Sequence, residues 1–500
     1  MSKSVVTTVK YAMEEEYPAK NASVKGSANI LPATSWSPSP EDAAKERALN
    51  RKLDIFLLPF MSLLYLFSGL DRGNIGNAQT DGFSQDVGLP ADAINNATTL
   101  FFITFVIFQP ISAGLGKKVG PNLWISIIMI CWGVLTFANA WTKSNGMLIG
   151  LRLSIGLFEA GFYPTAVFYL STFYPRFQLA QRIGYFYGMY AIAGAFSGAI
   201  AFGVFQIHGS LYGWQYLFII EGSLTMFMSI VGLIYLPKGP STAWFLTAEQ
   251  REYAAHRMAV DSALSEQTTL TRRDIVETIR DWKFWAVLPF NIFASCPSSA
   301  FSVFLPLVIN GMGFSGLQSN LMSVPPYLLG AIGLWIFAYS SDHRQERGWH
   351  IVAALIVQLI GLILVVVITS PIPRYICLCI LLFGSYASAP LTIAWLSGNT
   401  PDPGMRSLVL GVNGWGNLAG VISSELFRSE FAPRYLIPFY ASLGFIGASI
   451  AGYIGYRYLL AAVNKRRYSV VNGWTPEQIE EERVNDIRYG DKKYTFVYDL

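Results

Sequence analysis

Twelve apolar runs, each near the roughly 20 residues a helix needs to cross a bilayer, constrain this chain more than any other feature in it. They lie near 53–72, 93–115, 122–142, 147–172, 183–205 and 214–236 and, after a polar gap, near 284–309, 321–340, 350–370, 374–397, 407–427 and 436–461. Runs of that length read as membrane-crossing helices. Only 14% of the 500 residues are charged, against about 25% in soluble domains. The expected architecture is all-α and integral to the membrane, with twelve transmembrane helices in two six-helix bundles.

The gap sets the domain organisation. Residues 1–50 mix Lys, Glu, Ser and Pro without apolar periodicity and lack a cleavable signal, which predicts a disordered cytosolic tail. The bundles are expected over 51–236 and 284–462, joined by a cytosolic linker over 237–283 and followed by a cytosolic tail over 463–500. Within the linker, Thr247-Ala248-Glu249-Gln250 reads as a capping box opening a short helix, and Ile275, Ile279 and Trp282 share one face of a second. That second segment is either a solvated linker helix or an amphipathic one lying at the headgroups. Thr475 and Gln478 bracket Pro476 as a further capping box.

Lys and Arg set the orientation. Lys45, Arg47, Arg51 and Lys52 precede the first span, and Lys117, Lys118, Arg176, Arg182, Arg344, Arg347, Arg406 and Lys465 through Arg467 fall on the same side. Both termini are therefore expected in the cytosol. The turns Gly114 through Gly120 and Ser340 through Arg347 are both tight and basic, a weak internal repeat at corresponding places of the halves. Duplicated halves with a ligand held between them near the midplane are a transporter architecture.

A net charge of +4 dispersed in short clusters excludes a nucleic-acid surface. Cys131, Cys296, Cys377 and Cys379 lie inside apolar runs without metal-ligand spacing, and the four histidines lie in or beside loops. No metal, no cofactor and no catalytic residue is expected, so an enzyme is the least favoured class.

The first span ends in Leu70-Asp71-Arg72-Gly73-Asn74-Ile75-Gly76-Asn77-Ala78, which places two full charges where hydrocarbon is expected. A charge there costs about 2.5–3.5 kcal/mol on insertion scales, so Asp71 and Arg72 either pair at the helix end, Arg72 snorkelling, or line a polar pocket with Asn74. In the fourth span Arg152, Gly156, Glu159 and Tyr163 share a helix face. Glu159 must pair, hydrate or accept a proton, leaving a permanent Arg152–Glu159 ion pair or a proton-loading site as the two readings. Glu221 in the sixth span reads as a structural, hydrogen-bonded carboxyl. The second half offers neutral lining groups: Asn291, Ser295, Ser298 and Ser299, Tyr386, Ser388, Thr392 and Trp395, and Asn413 with Asn417. A cationic first half facing a neutral, aromatic second half suits a small organic anion.

These motifs, with Lys117-Lys118-Val119-Gly120-Pro121, Gly213-Trp214 through Glu221-Gly222 and Leu246-Thr247-Ala248-Glu249-Gln250-Arg251, resemble the major facilitator superfamily over nearly the whole chain, and within it the fungal anion:cation symporter group of allantoate, nicotinate and pantothenate permeases. The more distant vesicular glutamate transporters and sialin are similar in an arginine of helix one and an Arg-to-Glu spacing of seven in helix four. The resemblance implies a secondary transporter importing a small carboxylate with protons by alternating access, monomeric in a fungal plasma membrane. By that resemblance Arg72 binds the substrate carboxylate while Arg152 and Glu159 couple binding to protons. Beside it, the residues themselves make Asn74, Arg152, Tyr163, Asn291, Tyr386, Trp395 and Asn413 further substrate-binding candidates, Asp71 a second proton-coupling candidate, and Lys117, Lys118, Asp342, Arg344 and Arg347 candidates for the conformational turns. Two departures stand out. The superfamily's acidic residue is missing beside Gly116-Lys117, and the helix-seven arginine of the vesicular relatives has no counterpart among Asn291 to Ser299. An efflux antiporter of the same superfamily would favour a capacious apolar cavity, against Arg72 and Arg152, and a non-transporting nutrient sensor would need a larger cytosolic domain.

Overall fold

The computed structural model describes residues 42–263, 272–401, 405, 406, 408, 409, 414–484 and 490–500, and all regular secondary structure among them is helical. The first span begins earlier than its apolar run: α1 (Ala43–Lys52) passes through a π-helical turn, Leu53–Leu57, into α2 (Leu58–Thr80). Then come α3 (Ala93–Val119), α4 (Pro121–Ala138), α5 (Asn145–Glu159), α6 (Phe162–Ser171), α7 (Arg176–Val204) and α8 (Gly213–Tyr235). The linker carries α9 (Ala248–Ala263) and α10 (Arg272–Ile279). The remainder comprises α11 (Trp282–Asn310), α12 (Gly316–Met322), α13 (Val324–Arg344), α14 (Gly348–Val367), α15 (Pro371–Ser385), α16 (Ser388–Gly398), α17 (Leu418–Leu426), α18 (Leu436–Val471) and α19 (Pro476–Val484). Eleven stretches among the described residues are long and apolar enough to cross a membrane. The eleventh run, near 407–427, is represented by a 3-10 turn and α17, with 407 and 410–413 outside the described residues.

Two spans are interrupted at matching places, the fourth between α5 and α6 and the tenth between α15 and α16. Pro164 and Pro390 explain both breaks, since neither can donate to the carbonyl four residues back, at Ala160 and Tyr386. Glu159 thus ends one half-helix and Tyr386 lies in the other gap.

The linker is bound more tightly than a solvated tether. The Thr247–Gln250 capping box forms as expected, and Arg257 of α9, fully buried, donates to Glu46 of α1 at 2.7 Å, to Asn50 at 2.9 Å and to the Phe173 carbonyl at 2.6 Å. Residues 43–50, expected in the disordered tail, are helical because Leu49 and Glu46 are buried under this contact. Removing one partner of a buried ion pair costs about 3–5 kcal/mol. Arg257→Ala is therefore expected to lower the thermal unfolding temperature of the purified protein, followed by tryptophan fluorescence, while Arg257→Lys recovers part of the loss.

The two halves meet at the end opposite the linker, inside one of two large apolar cores. One is built from the first half with linker residues such as Leu246 and Ala254, whereas the other joins second-half residues to Ile75, Ala78, Ile94 and Ala97. Asn95 donates to the carbonyls of Ser424 and Phe427 at 2.7 and 2.9 Å, Thr99 to Glu425 at 2.7 Å, and Asn320 to Thr80 at 2.8 Å. A Cβ on Gly76 would lie 1.8 Å from the Val303 carbonyl oxygen, so only glycine lets α2 and α11 approach this closely. That end of the molecule is shut.

Candidate functional site

The charges of the first half converge on α2. Asp71 and Arg72 are sequence neighbours and point about 100° apart on the helix, so they form no pair with each other, which corrects the helix-end reading. Asp71 turns toward α4 and α8, where its Oδ2 accepts from Trp132 Nε1 at 2.8 Å and from the Thr225 hydroxyl at 3.2 Å. Arg72 turns the other way and donates Nε–H to Glu159 Oε1 at 2.6 Å, the same oxygen that accepts from Ser68 at 2.8 Å. The Arg72 guanidinium lies 4.6 Å from the Phe105 ring centre, 5.4 Å from Tyr190, 5.7 Å from Phe101 and 6.0 Å from Phe102. It is therefore an ion pair inside an aromatic box, with the Glu159 side chain 1% exposed.

Arg152 does not pair with Glu159. Seven residues along a helix is about 10 Å of rise, and antiparallel α2 offers each a nearer partner. Arg152 donates to Asn74 Oδ1 at 2.9 Å and toward the Asp71 carbonyl at 3.5 Å. Asp71, Glu159 and Glu221 all act on its charge, and Glu221, fully buried near Asn74, has no hydrogen-bond partner among the described residues for either carboxyl oxygen, which departs from the hydrogen-bonded carboxyl expected there. Glycines make the closeness possible: a Cβ on Gly156 would sit 2.5 Å from the Phe101 carbonyl oxygen and one on Gly161 1.8 Å from Ser112 Oγ. Arg72 and Arg152 line one small central cavity with Ile75, Thr98, Phe101, Phe102 and Val303, which has room for about one water molecule.

The other expected site residues scatter. Tyr163 packs beside Tyr65, Phe186 and Tyr187 at ring-centre distances of 5.8, 6.1 and 6.0 Å. Tyr386 is buried over Gly330 and neighbours Tyr327, Tyr187 and Tyr190, which brings it toward the Arg72 box. Asn291 is buried in α11 beside Gly416. Trp395, expected on the substrate path, instead donates to the Asp499 carbonyl at 2.8 Å and packs on Tyr456, because the C-terminal segment folds back over α16. Asn413 lies outside the described residues. Of the turn residues, Lys117 sits over Phe168 at 5.2 Å, Lys118 and Arg344 are exposed, and Arg347 pairs with Asp342 at 2.5 Å. Sequence reasoning missed Ser68, Phe101, Phe105 and Tyr190. Ser68 lies four residues before Arg72, and Phe101 and Phe105 share a face at the same spacing, so helical periodicity alone held that signal.

Residues 61–424 match the family model of the Major Facilitator Superfamily. The chain is 34% identical over 462 residues to the high-affinity nicotinic acid transporter of Saccharomyces cerevisiae, covering 92% of this chain and 86% of that protein. It is equally 34% identical over 407 residues to the major facilitator-type transporter hxnP of Emericella nidulans, covering 79% and 82%. Among solved structures it resembles a D-xylose-proton symporter, with a TM-score of 0.61 at 13% identity over 79% of this chain and 96% of that one. A buried charge cluster around a central cavity in a helical bundle of this kind, with relatives that are transporters along most of their length, identifies the chain as a member of the major facilitator superfamily, a multi-pass membrane transporter of the fungal group and not an enzyme.

Proposed function

We propose that this chain imports a small organic carboxylate together with a proton across the plasma membrane, as a monomer, by alternating access between the halves 51–236 and 284–462. The observation that carries the reading is Arg72, held by Glu159 inside an aromatic box on the wall of a cavity it shares with Arg152. The Glu159 carboxylate occupies the place on Arg72 that a substrate carboxylate would take. A proton on Glu159 dissolves the ion pair and frees Arg72 for the anion, so proton and substrate load together. The charge count points the same way: among the described residues Asp71, Glu159 and Glu221 cluster with Arg72 and Arg152, and such a cluster is neutral when one carboxyl carries a proton. The aromatic rings suit a flat organic body, and the yeast relative named for nicotinic acid acts on an aromatic carboxylate.

Expression in a yeast strain lacking its own carboxylate permeases, with a panel of radiolabelled aromatic, ureide and dicarboxylic acids, tests the reading. Acid-stimulated uptake of a monocarboxylate is expected, and uptake of neutral analogues alone would overturn it. Both termini and the 237–283 linker are assigned to the cytosol from the basic residues. In a cysteine-free background, cysteines at Glu249 and Ser210 are expected to react with an impermeant thiol reagent from opposite sides of the membrane. Labelling of both from one side would reject that orientation.

A further inference from the structure

The linker end of the molecule holds a second cavity, far larger than the central one. Its volume is about 470 Å³, inside the roughly 300–1,000 Å³ range of small-molecule sites. Its walls include Arg280 and Trp282 at the junction of α10 and α11, Arg466 and Arg467 of α18, and Lys492 and Tyr498 of the C-terminal segment. Its acids are already engaged. Asp281 and Asp491 both pair with Lys283, and Glu277 pairs with Lys492. Arg467 is held by the carbonyls of Phe496 and Asp491 at 2.7 and 2.8 Å. Arg280 and Arg466 are exposed at the rim and form no ion pair with any described residue. Five cations against three acids leave a net charge of +2, and the cations without an acid partner are guanidinium groups, of which Arg467 is taken up by carbonyls while Arg280 and Arg466 are open.

The surroundings say where an anion would come from. The apolar side of α10 is bare, with Ile275 38% and Ile279 60% exposed, and Trp282 and Trp285 beside it are 47% and 44% exposed. A short helix with an uncovered apolar face, flanked by tryptophans at the end of a membrane span, lies in the plane of the headgroups. The cavity therefore opens at headgroup depth, next to hydrocarbon that would take acyl chains.

We propose that this cavity binds the phosphorylated headgroup of an anionic phospholipid, with Arg280 and Arg466 forking its phosphate oxygens and Trp282 against the glycerol and upper chain. The ligand bridges the linker helix α10 to the last span α18. The proposal rests on the membrane placement of the bundle and is independent of the carboxylate reading, since its test measures binding and not transport.

The test uses the full-length protein purified in detergent and short-chain dioctanoyl phosphatidylinositol 4-phosphate as probe, with affinity read by thermophoresis. Saturable binding is expected, at least tenfold weaker in Arg280→Gln/Arg466→Gln and retained within a few fold in Arg280→Lys/Arg466→Lys. Elution of each variant as a single sharp peak in gel filtration separates lost binding from lost folding. Lys465→Gln, an exposed basic neighbour outside the cavity, is expected to bind as the unaltered protein does. An equal loss in Lys465→Gln would reduce the site to general surface charge. Equal binding of dioctanoyl phosphatidylcholine would remove the role of the phosphomonoester. Binding of free inositol 1,4-bisphosphate as tight as that of the lipid would assign the cavity to a soluble phosphate ester, and each of these three results overturns the proposal.

Discussion

Arg72→Ala is expected to abolish carboxylate uptake, by at least about 100-fold, in transporter that still reaches the cell surface. Its guanidinium makes a charge-assisted hydrogen bond to Glu159 at 2.6 Å and is surrounded by Phe101, Phe102, Phe105 and Tyr190, with almost no water in reach. In such surroundings a hydrogen bond to an ionised partner is worth more than its usual about 1.5–3 kcal/mol, and about 2.7 kcal/mol is already a 100-fold effect. Arg72→Lys keeps the charge but loses the planar fork that grips a carboxylate, so a weaker apparent affinity with some remaining transport is expected. Truncating Arg72 alone strands Glu159 as a buried charge and endangers folding. The neutral double variant Arg72→Gln/Glu159→Gln removes that objection: it is expected at the surface in normal amount and still inactive. Normal uptake by Arg72→Ala would return Arg72 to a purely structural role.

Glu159→Gln is expected to separate coupling from binding. Moving an anion into a compartment that is negative inside is opposed by about 2.3 kcal/mol per 100 mV for each charge, so accumulation requires a cation travelling with it. Glutamine imitates the proton-loaded carboxyl: its amide can still accept from Ser68, while Arg72 is no longer held by an opposite charge. The variant should therefore bind substrate and exchange internal for external label, yet fail to accumulate substrate against a gradient and lose the acid stimulation of net uptake. Filter uptake with preloaded and empty vesicles at two external pH values separates these outcomes. If the variant still concentrates substrate in a pH-dependent way, the proton rides on Asp71 or Glu221, and Glu159 is only a structural partner of Arg72.

Membrane class and eleven of the twelve expected spans were legible from run length because lipid leaves the backbone so few alternatives. The capping box at Thr247–Gln250 was equally local and could be read directly, whereas the helix expected to carry Ile275, Ile279 and Trp282 ends at Ile279, and Trp282 opens the next one. Pairing was not legible. Arg152 and Glu159 share a face, and periodicity invites joining them, but the fold inserts α2 opposite that face and hands Glu159 to Arg72 and Arg152 to Asn74. Spacing within one helix reports what lies side by side and never what another helix presents across the gap. Trp395 shows the same limit at longer range, since its partner Asp499 is more than 100 residues away and arrives by a tail with no apolar signature.

The size of the central cavity has a bearing on leakage. Protons cross protein interiors along files of hydrogen-bonded water, and a file needs several molecules in line. Between Arg72, Arg152 and Val303 there is space for about one, and Phe101 and Phe102 wall it with rings that offer no relay. A cavity of that size cannot itself hold such a file, so the charge cluster can sit in the membrane without this cavity short-circuiting the gradient that is proposed to drive transport.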